Sequence, residues 1–374
     1  MSNTRRAFLL GTGALAGAYA THRYYTTPDP AGRILGGPID DPLILNDASE
    51  LSPTRVAKHL TLTDRFESPQ IDALRAELTS AKQAGRPVIA SAARHSMGGQ
   101  SMAVAGTTLT MDHEWLEMDK TALTFRCGAG TRWSTVIAKL DAEGFSPAVM
   151  QSNNDFGVAA TYSVNAHGWP VPYSGMGSTV ESLRMMLADG SLVTCSRDEN
   201  ADIFFAAMGG YGLLGVITDM TVRMVANSRL QPTFEKMDAE LFGPRFLQAV
   251  KGKTGVQMAY GRLDVSKDRF FERAMMITYR PTQDQSDLPP APGSGFLSKA
   301  ARSVFRAQLG SDSLKHLRWW FESGLGPWIG GGETTCNTLL NEPVITLDDR
   351  DDTRTDILHE YFIAPDKFAG WLHA

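Results

Sequence analysis

The sequence predicts an α+β protein. Three observations carry this: an amphipathic helix pattern runs at once into a short apolar strand, a strand–Asp-Gly–strand pattern sits mid-chain, and the texture changes after about residue 226. Ile71, Leu74, Leu78 and Ala81 recur at helical spacing, so a helix is expected over Ile71–Lys82, started at Ser68-Pro69 and ended by Gly85. The strand at Val88 follows, and β and α alternate from the outset. Short strands are expected near Thr107–Met111 and Thr124–Cys127, with a second helix over Trp133–Glu143 stopping at Gly144. "ESLRMMLADGSLVTCS" reads as a hairpin turning at Asp189-Gly190. A helix, a glycine break and a long strand over Val216–Val225 close this half. Beyond it, Gln231–Arg280 reads as strand and helix in alternation, Asp284–Gly295 as a proline-rich loop, and Ala300–Phe321 as an amphipathic helix. The end of the chain reads as a strand, then a helix opened by Pro365 with Phe368, Trp371 and Leu372 on one face. The domains expected are 53–226 and 227–374, after a linker over Thr21–Ser52. Trp319-Trp320 and Met185-Met186 read as packing residues.

The gross composition narrows the function. A chain of 374 residues holds two or three domains. Its net charge is only -5 and it has no long basic run, which argues against nucleic acid as a partner. Cys127, Cys195 and Cys336 form no CxxC pair, so no thiolate metal site is expected, and an odd count argues against a disulfide framework. The N-terminus sets Arg5-Arg6 before an apolar run, Ala7–Ala20, ending in the small-residue pattern Ala18-Tyr19-Ala20. Residues 1–20 are expected to be an export signal of the twin-arginine type, with an ordinary secretory signal or a retained basic-flanked anchor as alternatives. The expected location is periplasmic, or at the inner membrane if the signal is kept. The twin-arginine machinery carries folded proteins, so this signal points to a cofactor inserted before export.

The segment "SAARHSMGGQSM", Ser91–Met102, leaves the strand at Val88 with many small polar groups around His95. Gly98-Gly99 lets backbone N–H groups approach a ligand, and successive N–H groups form an anion-binding nest. Ser96, Gln100 and Ser101 add side-chain donors. With no strong local charge, a diphosphate held by neutral donors fits better than free phosphate. The segment is neither a Walker loop nor a GxGxxG fingerprint, and "GGYGLLG" (Gly209–Gly215) precedes a strand where a dinucleotide fold needs a helix. His95 by itself is a core histidine, a metal ligand, or a nucleophile able to bond the 8α-methyl carbon of a flavin.

"GRPVIASAARHSMGGQSM" resembles the pyrophosphate loop of the vanillyl-alcohol-oxidase-type (PCMH-type) FAD-binding proteins, written roughly GRGHSxxGQ, in which the histidine bears the flavin. Arg94 stands where that pattern has glycine, after Ala92 and Ala93; Met97 falls at a free position. "TFRCGAGTRWSTVIAKLDAEGF" is similar to the family's strand and helix with V-x-x-G-x-x-W. "NDFGVAATYSVNAHGW" resembles the TVGGxxSxxxHG segment that lines the ring and diphosphate, through Gly157, Val158, Ala159, Ala160, Ser163, His167 and Gly168, with Ala159-Ala160 in place of Gly-Gly. "ADGSLVTCSRDENADIFFAAMGGYGLLGVITDMTVRM" is similar to the closing segment, whose Gly215, Val216 and Ile217 would hold the adenine end through backbone contacts.

The resemblance implies a PCMH-type FAD domain of two α/β subdomains, then an incomplete α+β substrate domain, with FAD as cofactor and no metal. It is closest to the alditol and aldonolactone oxidase and cytokinin dehydrogenase branches. It implies an FAD-linked oxidase or dehydrogenase taking hydride at flavin N5 from a CH–OH donor such as a sugar alcohol, sugar or aldonolactone, with O₂ or a respiratory acceptor removing the electrons. The alternatives are amine oxidation of the cytokinin dehydrogenase kind, or a non-catalytic FAD-binding protein. The position of the cytokinin enzymes' base aligns with Ser152, and Asp155 lies close by. Asp155 and Glu360 are the catalytic candidates, with Asn153, Asn154, Asn165 and His167 as polar groups near the ring. The resemblance places further catalytic residues and a last flavin-contacting segment beyond Ala374.

Overall fold

The computed structural model describes residues 41–65, 67–252, 254–293, 305–343 and 359–374, together with Thr21. The export signal expected over 1–20 lies outside the described residues. About 29% helix and 28% strand make the chain α+β.

The first layer is a parallel sheet. β1 (Ile44–Leu45) and β2 (Thr54–Arg55) make a small antiparallel pair beside it. β3 (Lys58–Leu62), α1 (Ser68–Gln83), β4 (Val88–Ser91) and β5 (Thr107–Met111) follow, and the three strands of the sheet run parallel in the order β3-β5-β4. Parallel neighbours need a long crossover. α1 crosses from β3 to β4, the two strands that flank β5, with Pro69 in its first turn and Leu74, Glu77 and Ala81 buried one turn apart. Glu77 is held there by Lys58, Arg86 and Thr107. The other crossover, from β4 to β5, is the loop that carries His95. It therefore leaves from the carboxyl end of a parallel strand, where open α/β sheets bind ligands.

The second sheet is antiparallel. β6 (Leu116–Asp119), β7 (Thr124–Gly128), β8 (Phe145–Pro147), β9 (Val180–Leu187), β10 (Leu192–Ser196) and β11 (Gly215–Ala226) pair in the order β10-β9-β11-β7-β6, with β8 on β11. The hairpin turns at Asp189-Gly190 as expected, with Ser191 N–H on Asp189 Oδ1 at 2.9 Å. α2 (Trp133–Asp141) and α3 (Val158–Ser163) pack on it through Trp133 and Tyr162, both fully buried. Their polar ends are satisfied: Trp133 Nε1 donates to Thr161 Oγ1 at 3.1 Å and Tyr162 Oη to the Phe204 carbonyl at 2.6 Å.

After Ala226 the chain enters a third sheet. β12 (Arg229–Asp238), β13 (Met258–Leu263), β14 (Arg273–Pro281) and β15 (Thr334–Thr335) pair in the order β13-β14-β12-β15. One core runs continuously from Leu74 through Trp133 and Met220 to Ile277 and Leu340.

Four expectations need correction. The stretch 41–52, read as linker, is packed: Leu45, Asn46, Asp47, Ala48 and Ser49 are all buried, because Asn46 and Asp47 satisfy its turns with their own side chains. The helix expected over Ala300–Phe321 is described from 305 on and is broken at Gly310, whose φ of 77° stops it before Ser311 caps Asp312–Trp320. The strand expected before Pro365 is not formed over 359–364, which pairs with no strand among the described residues. Met185 and Met186 are core residues, whereas Trp320 is 57% exposed.

Candidate functional site

Three segments converge at the exit of β4. A Cβ on Gly157 would lie 2.5 Å from Ala92 Cβ, 3.6 Å from the Ala129 carbonyl and 3.6 Å from Arg132 Nη1. Only glycine allows this approach. The turn after β7 is locked to the start of α3: Val158 N–H donates to the Thr131 carbonyl at 2.9 Å and Ala159 N–H to the Ala129 carbonyl at 3.2 Å. Gly168 packs as tightly, since its Cβ would strike the Met150 carbonyl at 1.8 Å. The two motifs thus touch.

His95 sits at this junction. Ala92, Ala93 and Arg94 are buried before it, while Ser96, Met97, Gly98 and Gln100 are exposed after it. The imidazole meets the Phe156 ring edge-on at 4.9 Å between centroids. Its Nδ1 is buried with no hydrogen-bond partner among the described residues. Burial, reinforced by the Arg132 charge and opposed by Asp47, pushes its pKa down to about 4. The ring is neutral at neutral pH and keeps a lone pair.

The N–H groups of His95, Ser96 and Met97 find no partner among the described residues. They are open donors of the loop, and so are the N–H groups of Gln100 and Ser101. The amides expected to serve, Gly98 and Gly99, are occupied: Gly98 N–H donates to the Ser96 carbonyl at 3.0 Å and Gly99 N–H to Asp47 Oδ2 at 3.0 Å. The open N–H groups thus lie on both sides of the Gly98-Gly99 pair. Ser101 Oγ is buried and without a partner among the described residues.

Arg94, where the family pattern has glycine, has φ of 52°. Glycine suits that left-handed backbone and other residues adopt it at a cost of roughly 1–2 kcal/mol. The Arg94 side chain is carried away from the loop surface into the protein, donating to Thr110 Oγ1 at 2.6 Å and to the Asn46 carbonyl at 3.4 Å, with His59 Nε2 at 3.2 Å. The departure from the pattern keeps the backbone and leaves the loop surface clear. Arg132, 2% exposed, is a second buried cation near the first. The expectation of a site with neutral donors alone is corrected: guanidinium charge lies beneath the loop.

The remaining candidates fall around this centre. Gly215, Val216 and Ile217 pair on one side with Leu187, Met186 and Met185; β7 begins pairing with β11 only at Asp219, which leaves their other backbone edge without a strand among the described residues. Ala160 is exposed on α3, and Ser163 Oγ donates back to the Ala159 carbonyl at 2.9 Å. Asn165, with φ of 47°, accepts the Gly177 amide at 3.0 Å. Ser152 is half-buried, and Asn153 and Asn154 are hydrogen-bonded to Glu342 and Asn341. Asp155 is fully buried and engaged with protein, which suits holding the turn better than taking a substrate proton.

Glu360 is different. Its Oε1 lies 3.4 Å from His167 Nε2, each side chain about half exposed. Phe362 faces the same histidine at 5.7 Å between ring centroids. His359, Tyr361 and Ile363 line a separate cavity of about 390 Å³ with Arg262 and Trp371. The extended segment alternates faces, and its even-numbered residues Glu360 and Phe362 are the ones beside His167.

Sequence reasoning missed Asp47, Arg132 and Phe156. "NDAS" at Asn46–Ser49 carries a turn signature that could have marked a structured segment. Nothing in the sequence marked Arg132.

The FAD that the loop resemblance implies fits these residues. A run of open N–H groups and buried guanidinium charge suits a diphosphate, and an imidazole nitrogen buried without a partner is what a site leaves when the partner comes from outside the chain.

Comparison with known proteins falls on the same residues. Residues 68–196 match the family model described as FAD binding domain. The chain is 30% identical over 174 residues to D-arabinono-1,4-lactone oxidase of Yarrowia lipolytica, covering 43% of this chain and 31% of that protein. It is 29% identical over 118 residues to L-gulonolactone oxidase of Mus musculus, covering 32% and 27%. It is 30% identical over 126 residues to cytokinin dehydrogenase 2 of Arabidopsis thaliana, covering 33% and 25%. The chain spans about a third or less of the length of these relatives. Residues 68–196 are therefore an FAD-binding domain of the PCMH type, the family whose loop and flavin-lining segments the sequence resembles.

Proposed function

We propose that this chain is the FAD-binding part of an oxidoreductase that takes hydride from the CH–OH carbon of a sugar alcohol, sugar or aldonolactone. The observation that carries it is His95: a neutral imidazole with a buried, partnerless Nδ1, standing beside open backbone N–H groups at the carboxyl end of a parallel strand. The similarity to two lactone oxidases favours CH–OH donors over amines.

The parallel sheet and the antiparallel sheet are the two α/β subdomains of an FAD domain over 53–226, and 227–374 belongs to the substrate domain. His95, Ser96 and Met97 would donate their N–H groups to the diphosphate, Arg94 and Arg132 would balance its charge, and the open edge at Gly215–Ile217 would take the adenine end. Bound FAD supplies the hydride acceptor, at N5 of its ring. Phe156 fixes the plane of His95. With FAD held here, His95 would be the residue placed to tether the 8α position of the ring, its neutral imidazole giving up its N–H proton to solvent. Glu360 and His167 take the proton of the substrate hydroxyl. Residues 1–20 direct twin-arginine export of the loaded, folded protein to the periplasm.

The test is direct. Purified protein precipitated in acid is expected to stay yellow, and His95→Ala protein to release its colour into the supernatant. Anaerobic mixing with alditols and aldonolactones is expected to bleach the flavin. Bleaching by secondary amines alone overturns the substrate class, and a colourless protein that takes up no added FAD overturns the whole proposal.

A further inference from the structure

The cofactor loop is held from outside the matched domain. The strap 41–56 precedes residue 68, where the FAD-binding match begins, and touches the loop at four places. Ala48 N–H donates to the Arg94 carbonyl at 2.9 Å, and Arg94 Nη1 reaches back to the Asn46 carbonyl. Met102, at the far end of the loop, is seated in a small apolar cluster with Leu45 and Val56, separate from the main core. Between these anchors Asp47 Oδ2 accepts the Gly99 N–H at 3.0 Å.

Asp47 is 0% exposed. Its other oxygen, Oδ1, accepts the Ser49 N–H at 3.0 Å and the Ser49 hydroxyl. The strap is itself braced, because Asn46 Oδ1 accepts from Ser52 N–H at 2.9 Å and Asn46 Nδ2 donates to the Glu50 carbonyl at 2.9 Å. A buried carboxylate is costly unless charge-assisted hydrogen bonds compensate it. One that spends an oxygen on the Gly99 amide fixes that amide's place. Gly99, with φ of 78°, sets the path by which the chain returns from the open N–H run to Met102.

We propose that Asp47 is a positioning residue of the cofactor loop: by clamping the Gly99 amide it holds the His95–Met97 backbone with its N–H groups presented outward and the His95 ring against Phe156. The proposal rests on the FAD reading of the loop. It differs from the family's own motif residues, because Asp47 lies in the strap and touches the loop from behind.

Amide hydrogen exchange in the cofactor-free full chain tests it without any variant. The clamped Gly99 amide is expected to exchange at least about tenfold more slowly than those of His95, Ser96 and Met97. Asp47→Asn is expected to raise exchange across 95–101 by about tenfold while leaving the 180–196 hairpin unchanged. In reconstituted protein it is expected to weaken FAD binding by about tenfold and to lower the acid-stable flavin fraction. Ser49→Ala keeps the Gly99 contact, so its FAD affinity is expected to stay within about twofold of the parent. Equal exchange at Gly99 and at the open amides overturns the proposal. So does an Asp47→Asn protein with unaltered FAD affinity, or a Ser49→Ala protein that loses FAD as severely. If the parent protein takes up no FAD, the FAD reading fails, and the exchange rates still decide whether Asp47 clamps the loop.

Discussion

Phe156 meets His95 edge to face, with centroids 4.9 Å apart and ring planes at 71°. The Phe156 carbonyl also accepts the Trp133 N–H at 3.1 Å, so the ring that steadies the imidazole is fixed to the first turn of α2. Phe156→Ala is expected to cost ~2 kcal/mol in urea unfolding, less than for a fully buried phenylalanine, and to lower the fraction of flavin that survives acid precipitation.

His95 gives stability a pH dependence of known sign. Its folded pKa lies below the unfolded value, at about 4, so the unfolded chain takes up the proton first as pH falls. The contribution is complete above about pH 6.5 and is lost on descending toward pH 4, an effect of at most ~3 kcal/mol. His59 and His113, also lowered by burial, remain in His95→Gln protein. Subtracting the two unfolding profiles of the cofactor-free proteins isolates His95, and the difference is expected to fall within that window.

Gly157→Ala puts a methyl group 2.5 Å from Ala92 Cβ. Neither neighbour is a flexible chain end, so the two segments must separate. A loss of about 1–3 kcal/mol in thermal unfolding is expected, with FAD affinity reduced by roughly tenfold or more as measured by flavin fluorescence.

Glu77 is a second sensitive point, far from the loop tip. Burial alone would raise its pKa, but hydrogen bonds from Lys58, Thr107 and Arg86 outweigh burial and hold it below the usual range. That contribution is present at neutral pH and is lost as pH falls through the folded pKa. Glu77→Gln leaves Arg86 without its anion beside a buried threonine, and a cost of about 2–4 kcal/mol is expected in urea at pH 7, shrinking in acid.

Trp169 stacks on Tyr260 at 4.6 Å between centroids and 20° between planes, and the backbone beside it extends β13: Ala259 N–H donates to the Trp169 carbonyl at 3.0 Å and Val171 N–H to the Gln257 carbonyl at 2.8 Å. This splice carries the loop of His167 and Gly168 onto the third sheet. Trp169→Ala is expected to cost roughly 2 kcal/mol and to raise exchange over 164–172 before any other segment.

The sequence made the frame legible where local rules act alone. The α1 pattern, the Asp189-Gly190 turn and the fully buried β5 follow from periodicity and turn chemistry, and each forms close to its expected bounds. What escaped depends on contacts between distant segments. Asp47 looked like part of a polar linker because its meaning comes from Gly99, and Arg94 looked like a defect because its φ and its buried partners are invisible in one dimension. The partners of the Gly98 and Gly99 amides escaped for the same reason. Glu360 stands 193 positions after His167, and only folding sets the two side by side.

The order in which the parts lie along the chain has a consequence for synthesis. The strap and the loop that it braces, from Leu45 through Gly99 to Met111, leave the ribosome ahead of the second sheet. Nascent domains fold from the amino end. The parallel layer and its brace can close while translation is still in progress, whereas the partner of His167 arrives only with Glu360. A growing polypeptide thus braces its His95 loop from the strap side long before Glu360 can reach His167.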